Sequence, residues 1–514
     1  MVYDVIKSKI IIMKLYFKTL KLYFFSFIFY WTLVCVHAQV QIFTPPSSLK
    51  PASDFEVKIN GKEVFVYESP IPASYCSFNM DGPVEIIIKT RRDLKWVDIR
   101  PLSLGLKATF KDSTITIKMS KPSKISVELN GSIKSPLFIF ANPPEINKPN
   151  KKDPNVIFFE AGKIHYPGII KLISNQSLYI EGGAIVVGVV ESENSKHVKI
   201  SGRGILDGSY NHNFNDSIIK TGNLSLLSVT KIPGSYHRSI EFKDCEDISI
   251  EGITLHNSTS WQITPIHCNQ VKIENIKIIS DQASDDGIDI VRSRNVLITN
   301  SFIRTKDDCI AIKANMEYPP SEGVDNVLVE NCVFWNALWG NGLEIGFELY
   351  SSEVKNITFR NSDIIHVESN AALSIHNSGS AVVSNVLYDN IRIENVGKKL
   401  FDLAIFRSRY SIDGVETEEE MKKLYLHGAW DGVLQVPSDK KNFHAKFRGY
   451  IKNITFRNIS LIDCNYPYSI FNGYNQDKNI NGVKIENLVV NGKKITDKKN
   501  FKSYIENTEN ITVK

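Results

Sequence analysis

The sequence predicts an all-β chain in which a right-handed parallel β-helix follows a small N-terminal β-sandwich. The main observation is a repeated segment that begins with a polar residue and continues into a short apolar strand. Examples are Asn295-Val296-Leu297-Ile298, Asn326-Val327-Leu328-Val329 and Asn356-Ile357-Thr358-Phe359. Such segments start at residues 247, 270, 295, 326, 356 and 385, so they are 23, 25, 31, 30 and 29 residues apart. An irregular period of this length, with Asn or Gly at the corners, is typical of a parallel β-helix.

Residues 1–38 have the pattern of a secretory signal peptide. Five lysines precede an apolar run from Tyr23 to Val36, and Val36-His37-Ala38 supplies small residues at the two positions that a signal peptidase reads. Gln39 is then the predicted first residue of the mature chain. A membrane anchor is the alternative, but a run of about 14 residues is shorter than the ~20 that span a bilayer. We therefore expect a secreted or periplasmic protein with no membrane span after signal removal.

Residues 39–142 are predicted to form the β-sandwich. The runs Phe55-Glu56-Val57-Lys58-Ile59 and Thr114-Ile115-Thr116-Ile117 alternate between apolar and polar residues, and Asn60-Gly61 favours a hairpin turn. Strands at short spacing without a helical pattern favour a sandwich. Residues 143–154 are polar and rich in proline, which predicts a linker.

Residues 155–514 are assigned to the β-helix because they contain the repeats. An excursion near residues 410–450 interrupts these repeats. Within it, residues 416–426 have acidic residues first and lysines last, which is the order that a helix dipole favours. We therefore expect one helix in the excursion.

Charge and cysteine content exclude several classes of function. The net charge is +5, but residues 1–38 contribute +4 through five lysines and Asp4. The mature chain then carries only about +1, which gives no reason to expect nucleic acid as a partner. Its cysteines are Cys76, Cys245, Cys268, Cys309, Cys332 and Cys464. They form no CxxC pair and no zinc pattern, so we expect neither a metal nor another cofactor. Cys245, Cys268, Cys309 and Cys332 each lie within a repeat, and we expect these four to be buried apolar side chains.

Two acidic motifs within the repeats point to chemistry. They are Asp285-Asp286-Gly287-Ile288-Asp289-Ile290 and Asp307-Asp308-Cys309-Ile310-Ala311-Ile312. Asp308 follows Asp286 by 22 residues, and the isoleucines of the two motifs share this offset, so the motifs occupy the same place on neighbouring coils. Coils stack at about 4.8 Å, which brings Asp286, Asp307 and Asp308 together. Carboxylates this close repel each other, so the cluster indicates a functional site such as the acid and base of glycosidic hydrolysis.

The ordered set of motifs resembles the polygalacturonase family, glycoside hydrolase family 28. The segments that carry the resemblance are Ser201-Gly202-Arg203-Gly204-Ile205-Leu206-Asp207-Gly208, Ile253-Thr254-Leu255-His256-Asn257-Ser258, Trp261, Ser284-Asp285-Asp286-Gly287-Ile288-Asp289-Ile290 and Lys306-Asp307-Asp308-Cys309-Ile310-Ala311-Ile312-Lys313. Together they cover roughly residues 155–400. The resemblance implies an inverting hydrolase in which Asp307 is the general acid, while Asp286 and Asp308 hold and deprotonate the water.

Two departures from the family pattern concern the substrate. The family has Gly-His-Gly on the next coil, whereas this chain has Gly340-Asn341-Gly342, and the family's Arg-Ile-Lys aligns with Ser374-Ile375-His376. The family's Arg and Lys grip a uronate carboxylate, so their loss removes charge-assisted contacts to an acidic sugar. The resemblance therefore implies the reaction, hydrolysis, more firmly than it implies the substrate, galacturonan. The two-domain layout is also similar to glycoside hydrolase family 49, the dextranases and isopullulanases.

Several further residues are predicted to contact sugar. They are Trp261, Trp339, Asn341, Glu344 and His376. The two tryptophans have rings of the kind that stack on sugars. Asn341 and His376 are expected in the longitudinal row of the acids. Glu344 shares the repeat position of Asp289, so both should point the same way on adjoining coils.

Alternative functions remain open beside a polygalacturonase-like hydrolase acting on pectin, galacturonan or a related polymer. One is an α-glucan hydrolase of the dextranase and isopullulanase type. Another is a β-helical polysaccharide lyase, which needs a uronate and a basic residue such as Lys313 or Arg304. A non-catalytic adhesin or binding protein has no reason to stack acids on one coil. The predicted partner is a polysaccharide, and we expect a monomer.

The stereochemistry is predicted by the resemblance alone. The backbones of neighbouring coils lie about 5 Å apart, which is nearer to the separation of the two carboxylates in retaining enzymes than to that in inverting enzymes.

Overall fold

The computed structural model describes residues 39–211, 238–282, 284–414, 433–434, 436 and 438–514. The predicted signal peptide at 1–38 and the predicted helix at 416–426 lie outside the described residues. Within these ranges, no helix is long and apolar enough to cross a membrane. The predicted fold class is confirmed, because a long system of parallel strands follows two smaller, mainly antiparallel sheets.

The N-terminal unit consists of two sheets that share an apolar core. Its strands are β1 (Gln39–Ile42), β2 (Phe55–Ile59), β3 (Lys62–Val64), β4 (Tyr67–Glu68), β5 (Ser74–Asp81), β6 (Val84–Thr90), β7 (Val97–Arg100), β8 (Ala108–Lys111), β9 (Thr114–Met119), β10 (Lys124–Leu129) and β11 (Ser132–Asn142). Strands β1, β4, β5, β7, β10 and β11 form one sheet, and β2, β3, β6, β8 and β9 form the other. In β2 the residues alternate between buried and exposed, as the sequence pattern predicts. This arrangement supports a sandwich.

The strands of the β-helix form three parallel sheets. The first sheet contains β12 (Val156–Phe159), β14 (Ser177–Ile180), β16 (Lys196–Gly202), β19 (Glu246–Glu251), β22 (Asn269–Glu274), β25 (Arg294–Thr299), β28 (Val324–Glu330), β31 (Glu353–Val367), β33 (Val382–Ile393), β37 (Tyr450–Arg457), β40 (Ile480–Glu486) and β44 (Thr508–Val513). The second contains β13 (Ile164–Lys171), β15 (Ile185–Glu193), β17 (Ile205–Asp207), β20 (Thr254–His256), β23 (Lys277–Ile279), β26 (Phe302–Thr305), β29 (Val333–Asn336), β38 (Ser460–Leu461) and β41 (Leu488–Val490), together with the later halves of β31 and β33.

The third sheet forms the floor of the cleft described below. It contains β18 (Ile240–Lys243), β21 (Ile263–Ile266), β24 (Ile288–Val291), β27 (Ile310–Ala314), β30 (Leu343–Leu349), β32 (Ala371–Asn377), β34 (Lys399–Ile405), β39 (Tyr468–Asn472) and β43 (Ser503–Glu506), together with the later parts of β13 and β15. The remaining elements are the hairpin of β35 (Arg407–Ser408) and β36 (Val433–Leu434), the strand β42 (Lys493–Ile495), an α-helix (Lys441–Ala445) and the 3-10 turns Leu102–Leu104, Gly208–Asn211 and Ser438–Lys440.

Many of the repeats begin with an asparagine because the residue at this corner has a left-handed conformation. Asn295, Asn326 and Asn356 have φ angles of 55°, 57° and 57°, a region that asparagine tolerates better than other residues with side chains. Two of these side chains also bond to each other, since Asn326 Nδ2 donates to Asn295 Oδ1 at 2.7 Å. Apolar side chains fill the interior. Cys245, Cys268, Cys309 and Cys332 are buried as predicted, and Cys76 and Cys464 are buried as well; none of the six forms a disulfide.

The sandwich packs on the second sheet of the β-helix through aromatic rings. Phe138 of β11 lies with its ring centroid 5.1 Å from that of Phe302 and 5.8 Å from that of Trp335. All three side chains are almost completely buried. Trp335 is thus a packing residue, and the two units share an apolar interface.

Buried ions also join the two units. Arg100 of the sandwich contacts Glu394 of the β-helix through Nη1 at 2.8 Å and its own neighbour Glu128 through Nε at 3.1 Å. The His366 ring of the β-helix contacts Glu128 at 2.9 Å. Burial of a charge is costly unless it is paired, so these contacts fix the orientation of one unit on the other.

Candidate active site

Each coil has a turn between its strand in the second sheet and its strand in the third sheet. The acidic residues lie in this turn, on two neighbouring coils. In successive coils this turn contains residues 260–261, 284–286, 307–308, 339–341, 369–370 and 398. The backbone ladder continues through it, because Gly287 N donates to Asp308 O at 2.8 Å. One carboxylate oxygen from each of Asp286, Asp307 and Asp308 lies within 4.8 Å of the others. The structure therefore brings the three predicted acids together.

The backbone of Asp307 is held on both sides. Its N–H donates to the buried Asp285 carboxylate at 3.2 Å, and the N–H of Lys306 donates to the same oxygen at 3.0 Å. Its carbonyl oxygen accepts from Thr305 Oγ1 and Asn336 Nδ2, each at 2.8 Å. Asp285 and Asn336 thus position Asp307, a role that no motif in the sequence predicts.

Asp308 is held by the next coil. Its Oδ1 accepts hydrogen bonds from Asn341 N at 2.6 Å and from Asn341 Nδ2 at 3.1 Å. Gly340 allows this close approach: its φ is +65°, and a Cβ there would lie 2.4 Å from both Asp307 Oδ1 and Asp308 N. Asn341 therefore orients one acid of the cluster.

Lys313 provides the positive charge of the cluster. Its Nζ lies 3.0 Å from Asp286 Oδ2, 3.2 Å from Asp289 Oδ1 and 3.9 Å from Glu348 Oε2. It lies on β27, five residues after Asp308, and its side chain is 9% exposed. Sequence reasoning considered Lys313 only as a lyase base. The available signal was the strand alternation, which places Lys313 and Ala311 on the same face of β27.

The carboxyl groups have unequal proton affinities. Burial, and then the charge of Asp286, raise the pKa of Asp307 to about 7. Burial, Asp286 and Asp307 raise the pKa of Asp308 well above its ordinary value. Burial alone would lower the pKa of Lys313, but Asp286 and Asp289 outweigh it and raise the pKa well above the usual range. A protonated acid therefore lies beside a lysine-paired carboxylate near neutral pH.

These residues line a cleft of about 770 Å³ that runs along several coils. Its lining residues are Arg238, Ser260, Trp261, Ser284, Asp286, Asp307, Asp308, Lys313, Leu338, Trp339, Gly340, Asn341, Phe347, Glu348, Ser369, Asn370, Lys398, Arg409 and Tyr410. Three of the predicted sugar contacts, Trp261, Trp339 and Asn341, are among them. Sequence reasoning did not identify Arg238, Lys398 or Arg409, because no motif marks them.

Glu344 and His376 are not among the cleft-lining residues, so we do not retain them as direct sugar contacts. His376 Nδ1 lies 3.0 Å from Glu344 Oε2, and Nε2 lies 3.2 Å from Asp402 Oδ2. Burial alone would lower the pKa of His376, but the two carboxylates raise it to about 10. His376 is thus an imidazolium that neutralises two buried acids. The prediction that it lies in the longitudinal row of Asp286 and Asp308 is wrong, because in the strand register it pairs with Gly346 of β30 and not with Asn341.

Cations lie against both predicted stacking rings. Lys313 Nζ is 4.0 Å and the guanidinium carbon of Arg238 is 4.7 Å from the ring centroid of Trp261. Lys306 Nζ is 4.6 Å from the ring centroid of Trp339, which remains 40% exposed. Trp339 therefore has more open ring surface for a sugar than Trp261.

The three acids also have the spacing of a cation site. The Lys313 ammonium already contacts one of the three, Asp286, and supplies a positive charge inside the cluster.

The comparisons with known proteins agree with the motifs. The family model "Glycosyl hydrolases family 28" matches residues 171–401. The predicted resemblance is therefore confirmed for this segment, which contains all three acids. The chain is 23% identical over 209 residues to "Polygalacturonase QRT2" of Arabidopsis thaliana, a match that covers 40% of this chain and 44% of that protein. It is 25% identical over 236 residues to "Probable endopolygalacturonase D" of Neosartorya fischeri, covering 44% and 45%. The chain thus spans under half the length of these curated relatives.

A solved structure matches nearly the whole chain. It is "Dex49A from Penicillium minioluteum", with a TM-score of 0.61 and 15% identity, covering 92% of this chain and 97% of that one. This likeness extends over the sandwich and the β-helix together. It establishes the shared fold and supports the family 49-like layout.

Proposed function

We propose that this protein is a glycoside hydrolase that cleaves a polysaccharide by inversion. The observation that carries the proposal is the pairing of Asp307, whose pKa is raised to about 7, with the lysine-bound Asp286 across a cleft. An acid that is protonated near neutral pH beside a carboxylate is the arrangement that glycosidic hydrolysis needs.

In the proposed reaction, Asp307 donates its proton to the glycosidic oxygen as the bond to the anomeric carbon breaks. A water attacks that carbon from the opposite side and loses a proton to Asp286, the carboxylate that Lys313 contacts. Asp308, held by Asn341, orients the water. One water is consumed, and the two proton transfers balance each other.

Inversion is supported by the family resemblance. The nearest carboxylate oxygens, within 4.8 Å, are closer together than the about 6.5–9.5 Å that is typical of inverting enzymes. We propose that the two neighbouring acids Asp286 and Asp308 hold the water between them, so that a wider gap is not needed. The configuration of the first product, observed by proton NMR, tests this: the inverted anomer is expected, and the retained anomer would refute inversion.

The contacts of the two candidate bases argue against a lyase. Lys313 contacts three carboxylates and has a raised pKa, so it is a poor proton acceptor. Arg304 donates to Ser280 O at 2.5 Å and contacts Asp281 at 3.1 Å, and it is not among the cleft-lining residues.

The proposed substrate is a pectin-like polymer, since relatives over the acidic segment are described as polygalacturonases. The purified protein should release reducing ends from at least one polymer in a panel of polygalacturonate, pectin, dextran, pullulan and algal polysaccharides, without products that absorb in the ultraviolet. Unsaturated products would indicate a lyase, and inactivity on every polymer would contradict the hydrolase.

The variant Asp307→Asn tests the acid. It should lower kcat by at least about 100-fold while the protein remains folded, since general acid catalysis contributes about 10²–10⁴-fold. Full activity of this variant would reject the assignment.

We also propose that residues 1–38 direct export of the protein and that the mature protein is a monomer. N-terminal sequencing of secreted material tests the first point, with Gln39 expected as the first residue. Sedimentation tests the second.

A further inference from the structure

Asp285 is a buried carboxylate that the proposed reaction does not use. It lies in the turn between β23 and β24 and has no exposed surface. Its Oδ1 accepts the N–H groups of Lys306 and Asp307 at 3.0 and 3.2 Å. Its Oδ2 accepts the Gln282 N–H at 2.6 Å and the Ser280 hydroxyl at 2.5 Å. Donors thus occupy both oxygens, and two of these donors belong to the coil that carries the general acid.

A buried chain of hydrogen bonds fixes this carboxylate from the preceding coils. Ser239 Oγ donates to Gln262 Oε1 at 3.1 Å, and Gln262 Nε2 donates to Ser280 Oγ at 2.9 Å. Ser239, Gln262 and Ser280 have no exposed surface. Ser280 accepts from the amide and keeps its own proton for Asp285, so the chain runs in one direction, towards an ionised carboxylate.

The remaining contacts also favour the ionised form of Asp285. Three of its four donors are backbone N–H groups, which cannot accept a proton in return. Burial raises the pKa of Asp285 to about 7, and the four hydrogen bonds oppose this rise. Burial and Asp286 raise the pKa of Asp307 most, and the charge of Asp285 adds to them. Asp285 therefore acts on Asp307 through its main chain and through its proton affinity.

Other charged side chains on the elements packed around this pair are Asp281, Asp286, Asp308, Arg304, Lys306 and Lys313. Asp286, Asp308 and Lys313 line the cleft with Asp307, whereas Asp285 is not among the cleft-lining residues. Asp285 therefore acts on a substrate only through Asp307.

We propose that Asp285 is a positioning residue for the general acid: its ionised carboxylate anchors the main chain of Asp307, and its charge helps to keep the Asp307 carboxyl group protonated. The inference rests on the proposed function, because it assigns a role in the transfer of the proton from Asp307.

Hydrogen exchange of the whole protein tests the anchor without turnover. Asp285→Ala removes the acceptor of two amides, so the N–H groups of Lys306 and Asp307 should exchange at least about 10-fold faster. Mass spectrometry of peptides that span residues 303–310 measures this. Asp285→Asn keeps one acceptor oxygen and should keep part of the protection.

The pH dependence of kcat/KM tests the charge, on a polymer that the protein hydrolyses. In Asp285→Asn a neutral amide no longer opposes ionisation of Asp307, so the fall of kcat/KM at alkaline pH should begin at least about 0.5 pH unit lower. Asp285→Ala should also lower kcat by at least about 10-fold, because the acid loses its anchor.

Asp281→Asn is the matched control for the charge. Asp281 lies four residues before Asp285, contacts Arg304 at 3.1 Å, and has a side chain that is 36% exposed. Its substitution changes the net charge by the same amount, and water screens its charge more. This variant should keep the pH profile and the hydrogen exchange of the parent.

Two results would overturn the role of Asp285: unchanged exchange at Lys306 and Asp307 in Asp285→Ala, or the same pH profile in Asp285→Asn and the parent. If Asp285→Ala does not fold, as judged by circular dichroism, the isosteric Asp285→Asn decides through its pH profile. Faster exchange in Asp285→Ala, in a protein that hydrolyses no polymer, would contradict the proposed hydrolase and leave the anchor intact.

Discussion

Asp307 and Asp308 are adjacent in sequence, yet different contacts surround their carboxyl groups. Asp308 accepts two hydrogen bonds from Asn341, whereas Asp307 Oδ1 accepts one, from Asp308 N at 3.1 Å. The Asn341 donors fix the buried Asp308 carboxyl group in one orientation, whereas Asp307 is partly exposed in the cleft and has fewer fixed donors. This difference agrees with Asp307 as the acid that reaches the glycosidic oxygen.

The pH dependence of activity follows from the raised pKa of Asp307. Its acid form is required, and burial with Asp286 raises its pKa from 3.8 to about 7. We expect kcat/KM to fall as the pH rises through about 7, approaching a tenfold loss per pH unit. Initial rates between pH 4 and 9 measure this. A fall that is complete below pH 5 would show that Asp307 is not the acid.

Lys313→Met provides a control for this fall of kcat/KM at high pH, which is the alkaline limb of the pH profile. Lys313 lowers the pKa of Asp307 through its charge, so its removal should move the limb to higher pH. It should also reduce kcat, because Asp286 loses its cation. A reduced kcat with an unchanged limb would indicate that Lys313 has a purely structural role.

Gly340 is predicted to be essential for activity. In Gly340→Ala the new Cβ must move away from Asp307 Oδ1 and Asp308 N, each 2.4 Å distant. A displacement of about 1 Å in a catalytic group costs about 100-fold in rate, so we expect a loss of that size in kcat. Gly162→Ala is the matched control: its φ is +74° and nothing lies within 4 Å of its Cβ. That variant should lose only the about 1–2 kcal/mol of left-handed strain and keep its kcat.

The sequence predicted the three acids because their motifs repeat at one offset, and stacked coils convert an offset into a distance. It did not predict the partners of those acids. Lys313 and His376 lie on strands of the third sheet, and the identity of their neighbours depends on the lengths of the intervening turns. The nature of His376 as a buried cation depends on Asp402, which is distant in sequence.

At the scale of the strand, the sequence predicts which residues of the two acidic motifs pair with each other. It predicts less well on which coil a given residue lies. The offset of 22 residues pairs Ile288 with Ile310, as expected. Glu344 does occupy the column of Asp289, but Ala311 lies between them, so they are two coils apart and not on adjoining coils. The prediction of adjoining coils was wrong because the alanine gave no polar signal at that position.

The asparagine corners are predicted to stabilise coils mainly through backbone conformation. Asn326 has a φ of 57°, and both Asn326→Gly and Asn326→Ala remove its amide contact to Asn295. Alanine should be less stable than glycine by about 1–2 kcal/mol, because only alanine has a strained left-handed conformation. Urea unfolding of the two variants measures the difference. Equal stabilities would show that the left-handed conformation at this corner does not destabilise alanine relative to glycine.

At the scale of the whole molecule, the two units were predictable, but their attachment was not. The strand patterns indicate both a sandwich and a β-helix. The contacts between Arg100, Glu128, Glu394 and His366 join residues far apart in the chain, and each of these residues alone looks like an ordinary surface charge. Only the folded chain brings them into one buried group.

We expect Arg100→Met to destabilise the whole chain, and to do so more at high pH. Burial raises the pKa of Glu394 to about 7, so the stability associated with its protonated form is fully present below its ordinary value of 4.5 and is lost as the pH rises through about 7. Arg100 offsets part of this loss. Breaking a buried pair costs about 3–5 kcal/mol, so we expect that cost at pH 8 and a smaller one at pH 5, where Glu394 is protonated.

Urea unfolding at the two pH values measures this effect, and the same experiment tests the interface as a unit. Arg91→Met is the control, since Arg91 contacts Glu56 at 3.4 Å on the surface of the same sandwich and both side chains are more than half exposed. It should cost under about 1 kcal/mol at either pH. If aromatic packing and buried ions couple the two units, the parent protein should unfold in one transition. A sandwich that melts separately from the β-helix, with Arg100→Met no more costly than Arg91→Met, would show that the buried ions orient the two units without stabilising them.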